Sequence, residues 1–122
     1  MIDGLEDFLT LDDFDVAGKT VLFRADVNSV VVDGKVQMKE RIVENAKTIR
    51  ELSEKNAKVV ILAHQGRPGG ADFLPLEQHA HLLATIVDLT YVDDIMGPAA
   101  RKAIKKLDKG DVLLLDNVRM LA

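Results

Sequence analysis

Residues 58–63 read KVVILA and are followed at once by the loop 64–70, HQGRPGG. An apolar run of strand length without polar alternation is typical of a strand that is covered on both faces, as in parallel sheets. The glycines of the loop permit tight backbone turns, and its proline stiffens the exit. The stretch therefore predicts a buried parallel strand that is followed by a polar loop at one edge of a sheet.

Three further strand-length runs lie at residues 20–25, 89–92 and 111–115. Apolar residues recur at helical spacing over about 40–55, from Pro75 to about 87, and from Pro98 to 107. An Asp-Gly turn at 33–34 predicts a short hairpin over 31–36. This alternation predicts an α/β fold, a Rossmann-like three-layer parallel sheet with helices on both faces. The sheet is expected to be incomplete, with about four parallel strands plus the short hairpin.

The composition limits the class of protein. The 122 residues are 48% hydrophobic and only 4% aromatic, which suffices for one domain with an aliphatic core. A net charge of −4 argues against nucleic acid or an anionic membrane as partner, and the lack of cysteine excludes disulfides and thiolate sites. The apolar runs are too short to span a membrane and the amino terminus is acidic, which indicates a cytoplasmic protein.

Four of the six arginines follow a predicted strand or the hairpin, namely Arg24, Arg41, Arg67 and Arg119. A planar guanidinium can hold a carboxylate or phosphate through two parallel hydrogen bonds, whereas lysine acts mainly as a solvated point charge. In open α/β sheets, ligands bind beyond the carboxyl ends of the strands. The pattern predicts a small-anion site at that edge, with ordinary surface ion pairs as the alternative interpretation.

The other polar residues of these loops allow two interpretations each. His64 begins a loop that matches neither the P-loop nor the dinucleotide fingerprint, so the loop either binds an anion or is a simple polar turn. Asp26 and Asn28 lie on one side of an extended segment, and they either bind a small hydroxy acid or form an Asx turn. His79 and His81 are two apart on a helix and point away from each other, so we expect packing or surface roles and no metal site.

Four segments of the chain, in order, resemble motifs of the phosphoglycerate kinase family, most closely those of its archaeal form. Residues 18–28 (GKTVLFRADVN) are similar to the family's R-V-D-x-N segment and residues 63–68 (AHQGRP) to its H-x-G-R-P loop. Residues 93–98 (DDIMGP) and 110–119 (GDVLLLDNVR) resemble D-D-x-x-G-P and G-D-V-L-L-L-E-N-x-R. The resemblance implies that residues 1–122 are a truncated N-terminal domain, the one that binds 3-phosphoglycerate.

The activity implied by this resemblance is phosphoryl transfer between 1,3-bisphosphoglycerate and ADP, giving 3-phosphoglycerate and Mg-ATP, in glycolysis or gluconeogenesis. The implied cofactor is Mg-ATP or ADP, whose binding residues are expected in a C-terminal nucleotide domain and not in this chain. The chain alone is therefore expected to be an inactive segment of a phosphotransferase, because the domain that supplies the nucleotide and closes the site is missing.

The resemblance also implies a substrate site made of Asp26, Asn28, Arg41, His64, Arg67 and Arg119. The acid and the amide would contact the glycerate hydroxyl and carboxyl end, while the histidine and the last two arginines would bind its phosphate. Arg41 would be catalytic and approach the transferring phosphoryl group, since phosphoryl transfer depends on positioning and on neutralising charge on the transferred oxygens.

Some positions depart from the family's pattern, which usually has Pro at Val30, Phe at Met120, and acidic residues and Thr in place of residues 38–40. These departures support a second hypothesis, a degenerate non-catalytic module with an interaction or structural role. In the family, strands later than residue 122 flank the first strand. We therefore expect its edge to be open here and to form a homo-oligomer.

Overall fold

The structure is a computed structural model that describes residues 16–66, 69, 70 and 72–121. These described residues form six strands, three α-helices and a 3₁₀ helix, in the following order. The elements are β1 (Thr20–Arg24), β2 (Val31–Val32), β3 (Lys35–Val36), α1 (Glu40–Glu54), β4 (Lys58–Leu62), α2 (Glu77–Leu83), β5 (Thr90–Tyr91), α3 (Pro98–Lys105), β6 (Val112–Leu114) and the 3₁₀ helix (Val118–Leu121).

Four strands form one parallel sheet in the order β1-β4-β6-β5, and the alternation of strands and helices confirms the predicted α/β class. β4 is central: Ile61 is opposite Phe23 of β1 and Leu114 of β6. The strands β2 and β3 form the predicted antiparallel hairpin. Its two turn residues, Asp33 and Gly34, have φ of 51° and 75°, the positive values that a type I′ turn requires.

Helices cover both faces of the sheet, as the continuous apolar strands predict. On one face, Val59, Ile61 and Leu114 pack in one core cluster with the buried stripe of α1, which includes Ile42 and Ile49. The alternate strand residues Val60 and Leu113 form a second cluster on the other face with Ala100 of α3. Side chains of successive strand residues point to opposite faces, so every residue of β4 and β6 needs an apolar neighbour.

The helix α2 is shorter than the sequence predicts, because it spans Glu77–Leu83 instead of about 75–87. Leu76 is its N-cap residue, and the backbone N–H of Leu76, which can have no partner within the helix, donates to the Asp116 carboxylate at 2.9 Å. At the other end, the N–H groups of Ile86 and Val87 both bond to the carbonyl of Leu83, which closes the helix in turns.

β1 is the outer strand of the sheet, since it pairs with β4 and with no second strand among those that the structure describes. Its central residue Leu22 is 67% exposed and is on the same face as Val60, beyond the cover of α3. No helix in the described part of the chain is both long and apolar enough to cross a membrane.

Candidate functional site at the carboxyl edge of the sheet

Three loops leave adjacent strands at the carboxyl edge of the sheet. The loop after β1 covers residues 25–30, the loop after β4 begins at His64, and the segment after β6 runs from Leu115 into the 3₁₀ helix. Because β1, β4 and β6 are neighbours in the sheet, these loops lie side by side. The N–H of Val118 donates to the carbonyl of Ala63 at 2.9 Å, which fastens the third loop to the second.

The edge contains two hollows. One, of about 450 Å³, is lined by Arg24, Ala25, Asp26, Leu62, Ala63, His64 and Val118. The other, of about 610 Å³, is lined by Asn28, Ser29, Val30, Lys39, Glu40, Arg41 and Asp72. A third hollow of about 570 Å³ lies at the opposite, amino edge, where Asp88, Asp111 and Lys106 give it mixed charge. The first two are the better candidates for an anion, because an arginine lines each of them, whereas two carboxylates and one lysine line the third.

Arg41, which lines the second hollow, contacts Asp26, which lines the first. Its Nη1 atom lies 3.4 Å from each carboxylate oxygen, and both side chains are more than 60% exposed. Such an exposed pair contributes little to stability, so an anionic ligand can replace Asp26 as the partner of Arg41. Asn45 fixes the two backbones, because its Nδ2 donates to the carbonyls of Asp26 (2.9 Å) and Arg41 (2.8 Å).

Asn28 connects two loops instead of forming an Asx turn within its own. Its Oδ1 accepts a hydrogen bond of 2.8 Å from the N–H of Gly66, in the loop after β4. The local turn is made by Ser29, whose hydroxyl donates to the carbonyl of Val27 at 2.7 Å. The side-chain oxygen of Asn28 is thus occupied, and its amide NH₂ is the group that it can offer to a ligand.

His64 lies among the charged groups of the first hollow. Burial lowers its pKa, and the nearby Arg119 and Arg24 lower it further, against the opposing effect of Asp26. The imidazole is therefore mainly neutral at pH 7 and can donate one hydrogen bond to an anion. Arg24 and Arg119 are therefore both close enough to His64 to affect its charge.

Arg119 is half-buried, and its Nη1 donates to the carbonyl of Gly66 at 3.0 Å. Its backbone N–H is held by the side-chain oxygen of Asn117 at 3.1 Å. These bonds fix one side of the guanidinium and leave other N–H groups of the fork for a ligand. Arg67, the other predicted phosphate ligand, lies outside the described residues, as does the side chain of Met120.

Sequence reasoning missed the buried polar residues beneath these loops, which are Gln65, Asp116 and Asn117. The Asp116 carboxylate accepts from the N–H groups of Leu76 and Asn117, at 2.9 and 2.7 Å. Burial raises the pKa of Tyr91, and its hydrogen bond to Asp116 raises it further. The signal was present in the sequence, since Asp116 and Asn117 directly follow a fully apolar strand.

The two histidines of α2 have different surroundings, one packed in the core and the other at the surface. His79 is fully buried, with Nε2 2.8 Å from the side-chain oxygen of Gln65, while His81 is exposed. Within the parts of the chain that the structure describes, no three histidine or acidic residues are grouped so as to hold a metal ion.

Together, the fold and this edge define an α/β domain with arginine, histidine and amide groups at the carboxyl edge of its sheet. A sequence model of the phosphoglycerate kinase family matches residues 11–122. The chain belongs to the phosphoglycerate kinase family, which confirms the resemblance inferred from its motifs.

Individual relatives agree with this assignment. The chain is 50% identical over 115 residues to the phosphoglycerate kinase of Methanopyrus kandleri and 52% identical over 116 residues to that of Methanobacterium bryantii. These matches cover 93% and 92% of the chain. The crystal structure of the Pyrococcus horikoshii enzyme superposes with a TM-score of 0.86 at 42% identity, over 92% of the chain. The chain spans about 28% of the length of all three relatives.

Proposed function

We propose that the chain supplies the 3-phosphoglycerate half of a phosphoglycerate kinase active site. The observation that supports this proposal is that Arg24 and His64 line one hollow and Arg41 lines another at the same edge of the sheet, with Arg119 near His64. A triose phosphate acid carries negative charge at both ends, and guanidinium groups bind such charges through paired hydrogen bonds. The complete reaction would transfer a phosphoryl group between 1,3-bisphosphoglycerate and ADP, in the cytoplasm, during glycolysis or gluconeogenesis.

We propose the following role for each residue. His64 and Arg119 would bind the phosphate together with Arg67. The amide NH₂ of Asn28 would donate to the carboxylate, and Asp26 would accept from the hydroxyl group. Arg41 would leave Asp26, to which it is held only by long contacts of 3.4 Å, and neutralise charge on the transferring phosphoryl group. Mg-ATP or ADP would enter from a second domain, and no residue of this chain is assigned to the nucleotide.

We expect Arg119→Ala and Arg67→Ala each to weaken 3-phosphoglycerate binding by about 1–3 kcal/mol, the loss of one charge-assisted hydrogen-bonding group. An NMR titration with millimolar ligand measures the dissociation constants. Arg50→Ala is the matched control, because Arg50 is on α1, pairs with Glu54 and lines a hollow at the amino edge. If 3-phosphoglycerate causes equal chemical-shift changes in the wild type and in both site variants, the assignment is refuted.

We expect the isolated 122-residue chain to form no ATP from 1,3-bisphosphoglycerate and ADP. In-line transfer needs both substrates held in register and shielded from water, and these residues supply one side only. A luciferase-coupled assay of the purified chain measures the product. ATP formation above that of a preparation carrying Arg41→Ala would contradict the proposal.

The second candidate is a non-catalytic interaction or structural module on the same fold. It is favoured by Val30, which replaces the family's usual proline and is 58% exposed at the rim of the second hollow. Affinity for 3-phosphoglycerate separates the two candidates. Only a substrate site should show affinity that depends on Arg67 and Arg119.

A further inference from the structure

Gln65 is a fully buried side chain that lies between the loops of the candidate site. Its Oε1 accepts from the N–H of Ser29 and contacts Nε2 of His79, both at 2.8 Å. Its Nε2 donates to the carbonyls of Ser29 (3.0 Å) and Asp72 (3.2 Å). These four bonds use the two donors and two acceptor sites of a primary amide. One side chain thus joins the loop after β1, the loop after β4 and the helix α2.

The orientation of the Gln65 amide is fixed by a backbone N–H, which can only donate, and by backbone carbonyls, which can only accept. Ser29 presents a backbone N–H and a backbone carbonyl, so a reversed amide would place donor against donor and acceptor against acceptor. Because Gln65 Oε1 can only accept, His79 must carry its proton on Nε2. Burial lowers the pKa of His79 to about 4, so the ring remains neutral at pH 7. In the described part of the chain, its buried Nδ1 has no hydrogen-bond partner.

The backbone around Gln65 carries the contacts that hold the site residues. The next residue, Gly66, donates its N–H to Asn28 and accepts from Arg119 through its carbonyl, while the preceding residue is His64. A shift of the Gln65 backbone therefore moves three of the proposed substrate ligands at once. Errors of about 1 Å in the placement of such groups can change their function by about a hundredfold.

We propose that Gln65, oriented by His79, is the positioning residue that sets the spacing of the two substrate-binding loops. It touches no ligand itself and acts through Asn28, His64 and Arg119. The inference rests on the proposed function of this edge as a 3-phosphoglycerate site. According to this inference, the affinity for 3-phosphoglycerate depends on a buried residue as well as on the arginines.

The test uses Gln65→Met in the 122-residue chain, which keeps the side-chain length and removes all four hydrogen bonds. We expect 3-phosphoglycerate to bind about tenfold or more weakly, measured by NMR titration of a variant that retains its dispersed amide spectrum. The matched control is Gln78→Met, because Gln78 makes two similar bonds to Val36 and Gly34 of the hairpin, away from the site. Equal affinity in Gln65→Met and Gln78→Met would overturn the inference.

A second variant, Gln65→Glu, separates positioning from simple loss of packing. One carboxylate oxygen would face the carbonyls of Ser29 and Asp72, so burial and repulsion should raise the carboxyl pKa. Once protonated, the group can donate one of the two lost bonds, while His79 is still neutral. Binding relative to wild type should therefore recover between pH 7 and pH 5. If the ratio of the 3-phosphoglycerate affinities of Gln65→Glu and the wild type does not change with pH, the inference is contradicted.

Amide hydrogen exchange distinguishes failure of this inference from failure of the proposed function. If the wild type does not bind 3-phosphoglycerate, the proposed function is wrong. The inference about loop spacing still requires faster exchange at the amides of Ser29 and Gly66 in Gln65→Met than in Gln78→Met. Unchanged exchange at both amides would show that Gln65 does not hold the loops.

Discussion

Gly66→Ala should destabilise the domain by about 3 kcal/mol or more, which corresponds to a fall of roughly 10 °C in Tm. Gly66 has φ of +67°, a conformation that costs an L-residue about 1–2 kcal/mol. A Cβ atom at this position would also lie 2.5 Å from the carbonyl oxygen of Asp72 and 2.7 Å from the backbone nitrogen of Phe73. Both neighbours are backbone, so the loop itself would have to move.

The control for this prediction is Gly34→Ala in the hairpin turn. Gly34 has φ of +75°, but a Cβ there would meet no atom within 4 Å, so only the conformational cost of about 1–2 kcal/mol applies. Thermal unfolding followed by circular dichroism compares the two variants. We also expect Gly66→Ala to lose 3-phosphoglycerate affinity, because Asn28 and Arg119 both bond to this backbone. Equal melting temperatures would show that the loop accommodates the methyl group without strain.

The fold could be predicted because its signals are local. Continuous apolar runs identify buried strands, and the Asp33-Gly34 pair identifies a turn whose geometry few other residues accept. The bounds of α2 were predicted only approximately, and the carboxylate of Asp116, which accepts from the N–H of Leu76 forty positions earlier in the chain, could not be predicted. Helical periodicity relates residues that are three or four positions apart in the sequence. It contains no information on a contact between residues as distant as these.

The candidate site could be predicted in part. The positions of Arg24, Arg41 and Arg119 near this edge could be predicted, because the order of strands and loops is visible in the sequence. Gln65 was not found, since a glutamine after a strand is equally compatible with an exposed polar turn. Its importance depends on the backbone of Ser29 and on His79, and only the folded chain brings these groups together.

The sheet edge at β1 leads to the last prediction, that the isolated 122-residue chain assembles with a second copy through this strand. An exposed outer strand presents backbone N–H and carbonyl groups that can pair with another chain. Antiparallel pairing about a twofold axis at Leu22 places the two Leu22 side chains opposite each other and Val21 opposite Phe23. Arg24 is then opposite Thr20, so no like charges meet. Cross-strand pairs of this kind are favourable.

We expect the folded chain to sediment as a dimer or larger species at micromolar concentration, since Leu22 is 67% exposed and burial of apolar surface contributes about 25 cal/mol per Å². Leu22→Lys should give a monomer, because pairing would then place two ammonium groups against each other. Met96→Lys is the matched control: Met96 is 68% exposed and follows β5, at the opposite end of the sheet. A wild-type chain that is folded and purely monomeric in dilute solution would contradict the prediction, and so would an equal effect of the two lysines.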